Sequence, residues 1–172
     1  MILSRRQLTA RTLLALMGWL TLVVLPSPAH AQQYLPAGSA YVGSGVEGGG
    51  RDFQRARTRL KLGLELRIDE DPENGISAAG VFDLEPRTAF GADLRYVRRI
   101  GPKFAVSAGG MGYFVPAILV GPCAGLEVRI PTFYKTYLAL GPEVAVFAFG
   151  TDLPDRTVIW QALFQAGFRV DL

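Results

Sequence analysis

Few side chains in this sequence could act as a nucleophile, a general base or a metal ligand. The only histidine is His30 and the only cysteine is Cys123. His30 falls in a segment with the form of a cleaved signal, so the mature chain is expected to contain no imidazole. This excludes Ser-His-Asp and Cys-His catalysis and His-based metal sites. A single cysteine cannot form an internal disulfide, and we interpret Cys123, between Gly-Pro and Ala-Gly, as a small residue in a tight place.

The remaining candidates for acid–base chemistry are carboxylates that lie within strand-like segments. Asp83, Glu85, Asp93 and Glu143 could in principle form the acid–base pair of a hydrolase. No two of them stand at a spacing that separates them from the other charges around them. We therefore predict that the protein is not an enzyme and that it holds no cofactor and no metal ion.

The N-terminal segment has the organisation of an export signal. Arg5, Arg6 and Arg11 precede the apolar run Leu13–Leu25, and Ala29-His30-Ala31 forms an A-x-A cleavage site. The run is shorter than the roughly 20 apolar residues that a membrane-spanning helix needs. We predict a signal peptide over residues 1–31, with Ala29 and Ala31 directing cleavage.

The export route stays open, because Ser4–Leu8 (SRRQL) is similar to a twin-arginine signal but also fits an ordinary basic start. Removing residues 1–31 takes away three of the 18 Lys and Arg residues and none of the 15 Asp and Glu residues. The mature chain is then close to neutral, which argues against a nucleic-acid partner. We expect a short periplasmic leader over residues 32–38 and one domain over residues 39–172.

The segment Arg57–Asp69 has the sharpest pattern in the body of the chain. Leucines at 60, 62, 64 and 66 and Ile68 occupy one face, and Arg59, Lys61, Gly63, Glu65 and Arg67 occupy the other. A helix would scatter these leucines around its circumference, so the alternation predicts a strand.

Seven further segments alternate in the same way, and eight strands are the even number typical of bacterial single-chain membrane barrels. Pro122, inside the sixth strand, predicts a bulge or an irregular start there. The eight predicted strands are Ser39–Glu47, Arg57–Asp69, Ile76–Glu85, Thr88–Ile100, Lys103–Phe114, Ala117–Ile130, Thr136–Phe149 and Thr157–Leu172.

Charged residues within these strands fall almost entirely on one face. If that face lines a closed barrel, acids and bases in near-equal number must neutralise each other there, because an unpaired buried charge is costly. Glycines on the same face would make room for long side chains. The predicted interior network consists of Arg59, Lys61, Glu65, Arg67, Asp93, Arg95, Glu127, Arg129, Glu143 and Arg169.

Alternation alone does not decide which face points inward. A soluble periplasmic barrel or sandwich that binds a ligand or partner would bury the apolar face and expose the charges. Three features favour the membrane arrangement: the export signal, the wide apolar faces with scarcely a charge, and the form of the last strand.

The end of the chain resembles the C-terminal recognition signal of bacterial outer-membrane proteins. Gln165, Gly167, Val170 and Leu172 match its polar, glycine and two hydrophobic positions, although family members commonly end in Phe. The resemblance implies that the barrel-assembly machinery binds these residues, by addition of a strand to an open sheet edge.

The mature chain as a whole is similar to the small eight-stranded outer-membrane barrels of the OmpA transmembrane-domain and OmpX-like type. The resemblance implies an all-β, antiparallel, up-and-down transmembrane β-barrel in contact with outer-membrane lipid. An eight-stranded barrel has just enough interior room for side chains. We therefore predict a structural or surface-interaction role, a packed polar interior and no open pore. A subunit of a larger envelope complex, with protein partners yet to be identified, is the remaining alternative.

Overall fold

The computed structural model describes residues 34–49, 53–85, 87–151, 153 and 158–172. The predicted signal peptide, with Ala29 and Ala31, therefore lies outside the described residues. Over the part of the chain that is described, every long element is a strand, and no helix is long and apolar enough to cross a membrane.

Eight long strands account for most of the described chain. A two-residue strand, Phe149–Gly150, pairs with the start of the sixth. The long strands are β1 (Tyr34–Gly49), β2 (Phe53–Ile68), β3 (Asp71–Glu85), β4 (Ala89–Ile100), β5 (Phe104–Val115), β6 (Leu119–Phe133), β7 (Thr136–Phe147) and β8 (Ile159–Asp171).

The strands form one closed antiparallel sheet. Each pairs with its neighbours in sequence, and β8 pairs with β1 from Ala37 opposite Asp171 to Gly49 opposite Ile159. Closure leaves no unpaired sheet edge among the long strands. This confirms the predicted all-β fold, an eight-stranded antiparallel up-and-down barrel.

The two ends of the barrel differ in their connections. The turn end carries the short connections at residues 69–70, 101–103 and 134–135, together with the start of β1 and the end of β8. The loop end carries the connections at residues 50–52, 86–88, 116–118 and 148–158.

The predicted strand bounds need correction at the turn end. β1 begins at Tyr34 instead of Ser39, so Tyr34–Gly38 of the predicted leader pairs with Leu64–Ile68. β3 begins at Asp71 instead of Ile76. The reason is that β2 runs to Ile68, and its backbone donors and acceptors there need partners that neighbouring strands supply.

The irregular start predicted at Pro122 is present on one side of β6. Towards β5, the pairing runs from Phe104 opposite Val128 to Tyr113 opposite Leu119 without a register shift. On the other side, Val120 lies opposite Phe149 and Cys123 lies opposite Ala145, so the register shifts by one residue across Gly121 and Pro122. A second irregularity on that side lies between Pro131 and Phe133. Pro122 is tolerated where the ladder with β7 only begins, at Cys123.

The apolar faces of the strands point away from the barrel. Leu62, Leu64 and Leu66 are 49%, 62% and 53% exposed, whereas Lys61 and Glu65 between them are buried. A soluble barrel would require the opposite orientation. An apolar exterior around a polar interior is the arrangement of transmembrane β-barrels, and this chain has it.

Exposed aromatic side chains mark both ends of the apolar exterior. Phe133 and Tyr134, 82% and 80% exposed, lie at the turn end, while Phe114, Phe149 and Trp160 lie towards the loop end. Aromatic girdles at both membrane interfaces have this placement.

Two neighbouring alanines on β3 allow a test of which strand face points to lipid, because both can be replaced by the same residue. Ala78 is exposed and Ala79 is buried. In a Cys123→Ala background, we expect Ala78→Cys to react with a fluorescent thiol reagent and its emission to be quenched by spin-labelled acyl chains in vesicles. We expect Ala79→Cys to react only after denaturation. Reaction of Ala79→Cys in the folded protein, with Ala78→Cys protected, would contradict the orientation.

Candidate functional site in the barrel interior

The barrel interior is apolar near the loop end. Met111, Tyr113 and Phe147 are its largest members, and Leu153 packs against them from the β7–β8 connection. Cys123 is buried in the same group, which agrees with its interpretation as a small residue in a confined position. We call this group the apolar plug; its buried members are Val81, Ala89, Met111, Tyr113, Leu119, Cys123, Ala145, Phe147 and Ile159.

An ion-pair cluster around Asp83 adjoins the apolar plug. Arg59 Nε lies 2.8 Å from Asp83 Oδ1, and Arg57 pairs with both Asp83 and Glu47. The Tyr113 hydroxyl donates a hydrogen bond to Asp83 and accepts one from Arg59. The phenol therefore joins the apolar plug to the charged interior, with its ring on one side and its hydroxyl on the other.

Glu143 is the centre of the next cluster towards the turn end. Its carboxylate lies 2.7 Å from Arg59 Nη1, 3.1 Å from Lys61 Nζ and 2.6 Å from Arg95 Nη2. Gln165 donates a further hydrogen bond at 2.9 Å. Three cations from β2 and β4 thus converge on one carboxylate from β7.

Asp93 supplies the second carboxylate of this Glu143 cluster. It lies 2.8 Å from Lys61 Nζ and 2.6 Å from Arg95 Nη2. With Asp83, the interior places three acids around Arg59, Lys61 and Arg95. Charge is therefore balanced around these three cations.

A third cluster, around Glu65, fills the turn end. Glu65 is contacted by Arg67 at 3.3 Å, Arg129 at 3.6 Å and Arg169. Asp171 pairs with Arg67 at 2.9 Å and with Arg99 at 3.5 Å.

Glu127 completes the Glu65 cluster. It pairs with Arg129 and accepts a 2.7 Å hydrogen bond from the Tyr41 hydroxyl. Because Tyr41 comes from β1 and Glu127 from β6, this bond crosses the barrel.

The structure places all ten residues of the predicted network in the interior. Nine are less than a tenth exposed, and Glu127 is only partly buried, near the turn end. The predicted set omitted several members of the network, namely Glu47, Arg57, Asp83, Arg99, Tyr113, Gln161 and Asp171. Alternation already put Glu47, Asp83, Arg99 and Asp171 on the polar face. Tyr113 and Gln161 carry no charge, so a pattern of charges does not reveal them.

Two interior glycines lie where the adjacent strand leaves no space for a side chain. A Cβ atom at Gly109 would stand 2.0 Å from the Leu94 carbonyl oxygen of β4. A Cβ atom at Gly167 would stand 2.1 Å from the Ala40 carbonyl oxygen of β1 and 2.7 Å from the Tyr41 ring. Both positions therefore accept only glycine without displacement of the neighbouring backbone.

The four residues of the terminal motif occupy two environments. Gln165 and Gly167 point inward, to Glu143 and beneath the Tyr41 ring respectively. Val170 and Leu172 are exposed on the apolar exterior. Two of the four therefore have a packing role in the folded barrel.

The interior contains a small, mostly polar cavity. A cavity of about 50 Å³ lies between the Glu143 and Glu65 clusters, with Ser39, Ser77 and Ser107 among its lining residues. That is room for a few water molecules. Within the described residues, no group of three His, Cys, Asp or Glu side chains could hold a metal ion. The arrangement is suited to cross-linking the strands by charge.

No protein-family model matches the chain, and no curated protein matches it in sequence. Among solved structures, the chain is similar to Neisserial surface protein A. The superposition has a TM-score of 0.49 with 8% sequence identity, and it covers 81% of this chain and 97% of that one.

Removing the central carboxylate tests the importance of the network for stability. Glu143→Gln leaves Arg59, Lys61 and Arg95 with too few acids, so we expect a loss of about 3–5 kcal/mol in the free energy of unfolding. Glu73→Gln, on the exposed start of β3, makes the same chemical change and should cost under about 0.5 kcal/mol. Urea unfolding in vesicles, followed by Trp160 fluorescence, measures both. Equal losses would show that the interior pairs do not stabilise the barrel.

Proposed function

We propose that this protein is a non-enzymatic outer-membrane barrel with a structural or surface-interaction role and no open pore. The observation that carries the proposal is the combination of an apolar exterior with an interior filled by ion pairs. The exterior has the composition that lipid requires, and ion pairs occupy the described part of the interior.

The bilayer argument rests on backbone hydrogen bonds. No water is available in the hydrocarbon region, so a spanning structure must satisfy every N–H and C=O group internally. A closed barrel does this, and bacterial single-chain barrels of this type belong to the outer membrane. The predicted export signal supports the same location, with the turn end towards the periplasm and the loop end outside.

The pairing of the interior charges supports a role without catalysis. A general acid or base must reach a substrate, but Glu143, Asp83 and Asp93 are each bound by cations and buried. The apolar plug covers these clusters on the loop-end side. Surface interactions would therefore use the loop end.

The barrel-assembly machinery is the proposed partner during biogenesis, through Gln165, Gly167, Val170 and Leu172. Leu172 is 65% exposed, and its backbone N–H donates to the Pro36 carbonyl at 2.9 Å. Its side chain therefore adds little to the packing of the folded barrel and is free to be recognised.

One set of measurements tests both the membrane location and the absence of an open pore. The purified protein should migrate on gels differently before and after boiling, should fractionate with outer membranes, and should give no stable conductance steps in planar bilayers. Recovery in a soluble periplasmic extract, or reproducible single-channel steps, would contradict the proposal. Recovery from native membranes with a stoichiometric protein partner would favour the role of a subunit in a larger envelope complex.

The terminal motif is tested by separating assembly in cells from folding in vitro. Leu172→Asp should lower the amount of inserted barrel in cells while refolding in detergent stays normal, because the side chain lies outside the packed interior. Leu172→Phe keeps a terminal hydrophobic residue and is the matched control. Gly167→Ala should impair refolding itself, because its Cβ meets the Tyr41 ring. Normal insertion of Leu172→Asp would remove the recognition role.

A further inference from the structure

A pocket lies at the mouth of the barrel, at the turn end. All the charged residues that line it are cationic. Its volume is about 400 Å³, and Arg99, Lys103 and Arg129 line it together with Gly101, Pro102, Pro131 and Tyr137. The acidic residues of the same rim, Asp69, Glu70, Asp71 and Glu73, belong to the β2–β3 connection and the start of β3. None of them is among the lining residues.

Two of the three cations have donors without a partner. Arg129 is 4% exposed, and its Nη1 makes no hydrogen bond within the described part of the chain. The same holds for Arg99 Nε, and the ion pair of Arg99 with Asp171, at 3.5 Å, is a long one. Unpartnered guanidinium nitrogens also occur in the other two clusters, at Arg57 Nε and Arg95 Nε. What distinguishes this pocket is that cations of its lining reach solvent: Lys103 is exposed, and the Arg99 side chain is 22% exposed.

The charge balance at the mouth also favours an anionic ligand. Five cationic side chains stand against three carboxylates among the described residues of the Glu65 cluster and the pocket: Arg67, Arg99, Lys103, Arg129 and Arg169 against Glu65, Glu127 and Asp171. The other two interior clusters are closer to balance. The excess charge is therefore localised where the barrel opens.

We propose that this pocket, which we call the rim pocket, binds a phosphate group. Guanidinium groups match the oxygens of phosphate in planar, bidentate geometry, and a lysine beside them adds a point charge. A single phosphate fits the volume and would supply acceptors to the exposed Lys103 and the partly exposed Arg99. The proposal does not depend on the surface role of the loop end.

Two sources could supply the phosphate. Ile100 and Phe104 are exposed on the exterior beside the pocket, and Phe133 and Tyr134 flank the next turn, so the pocket lies at the depth of the lipid headgroups. A phospholipid of the inner leaflet could reach over the rim. A free phosphate or phosphate ester of the periplasm could enter through the mouth.

The test uses the folded barrel in non-ionic detergent, with inorganic phosphate as the probe and calorimetry as the measurement. Lys103→Gln changes an exposed turn residue and is not expected to affect folding; Arg99→Gln removes the adjacent guanidinium. Each should weaken phosphate binding about tenfold, the effect of losing one charge-assisted hydrogen bond. Arg98→Gln, one residue away and exposed on the exterior, is the matched control and should bind as the wild type does.

A lipid arm distinguishes the sources. The variants are reconstituted with phosphatidylcholine, with and without phosphatidylglycerol, and the lipid retained after solubilisation is measured. Retention of phosphatidylglycerol by the wild type and Arg98→Gln, but not by Lys103→Gln or Arg99→Gln, identifies a headgroup as the source. Binding of inorganic phosphate without lipid retention identifies a soluble one.

Three results would overturn the proposal. The first is that neither phosphate nor phosphatidylglycerol binds. The second is that all three variants bind equally, which would indicate non-specific attraction to a basic surface. The third is that an oligoglutamate peptide binds at the pocket while phosphate does not, which would assign the pocket to carboxylates.

Discussion

The structure depends on the pairing of charges that are held out of water inside a closed barrel. Glu143 forms ion pairs with Arg59 and Lys61 of β2 and with Arg95 of β4. One carboxylate therefore links β7 with two strands that are not its neighbours in the sheet. Such a pair is not intrinsically more stabilising than an apolar core of the same volume. Once the charges are inside, however, each must keep its partner, and this requirement defines which strands can lie opposite one another.

The requirement also explains the distribution of the other residues. Long arginine side chains fill the lumen of an eight-stranded barrel only if nearby positions are small, and Gly125, whose Cβ atom would stand 3.4 Å from Arg95 Nη1, meets that condition. Because the charged residues of β2 occupy the interior, its leucines point to the exterior. In water such an exterior would drive aggregation, whereas in lipid it is the solvated surface. The charged interior and the apolar exterior are thus two consequences of one alternation.

The same alternation determines how much the sequence can predict. Along β2, leucine and charge alternate without exception, so strand, face and orientation follow directly. Along β5, glycines weaken the pattern, and the inward position of Met111 and Tyr113 is not evident, so the apolar plug is not predictable. Tyr34–Gly38 alternates poorly and enters the barrel because β2 needs partners there. Local pattern predicts the elements, while their ends and the uncharged members of the network depend on contacts between strands distant in sequence.

The interior is also polarised along the barrel axis, which alternation does not reveal. Towards the loop end, Asp83 and Glu47 satisfy Arg57, and the ring of Tyr113 covers this cluster with the apolar plug. Towards the turn end, the arginines outnumber the acids, and Arg99 and Arg129 keep unused donors beside a pocket. Balanced charge under an apolar cover stabilises a wall that need only stay closed. An excess of cations at an open mouth leaves binding capacity, so the chemistry of this barrel is concentrated at its turn end.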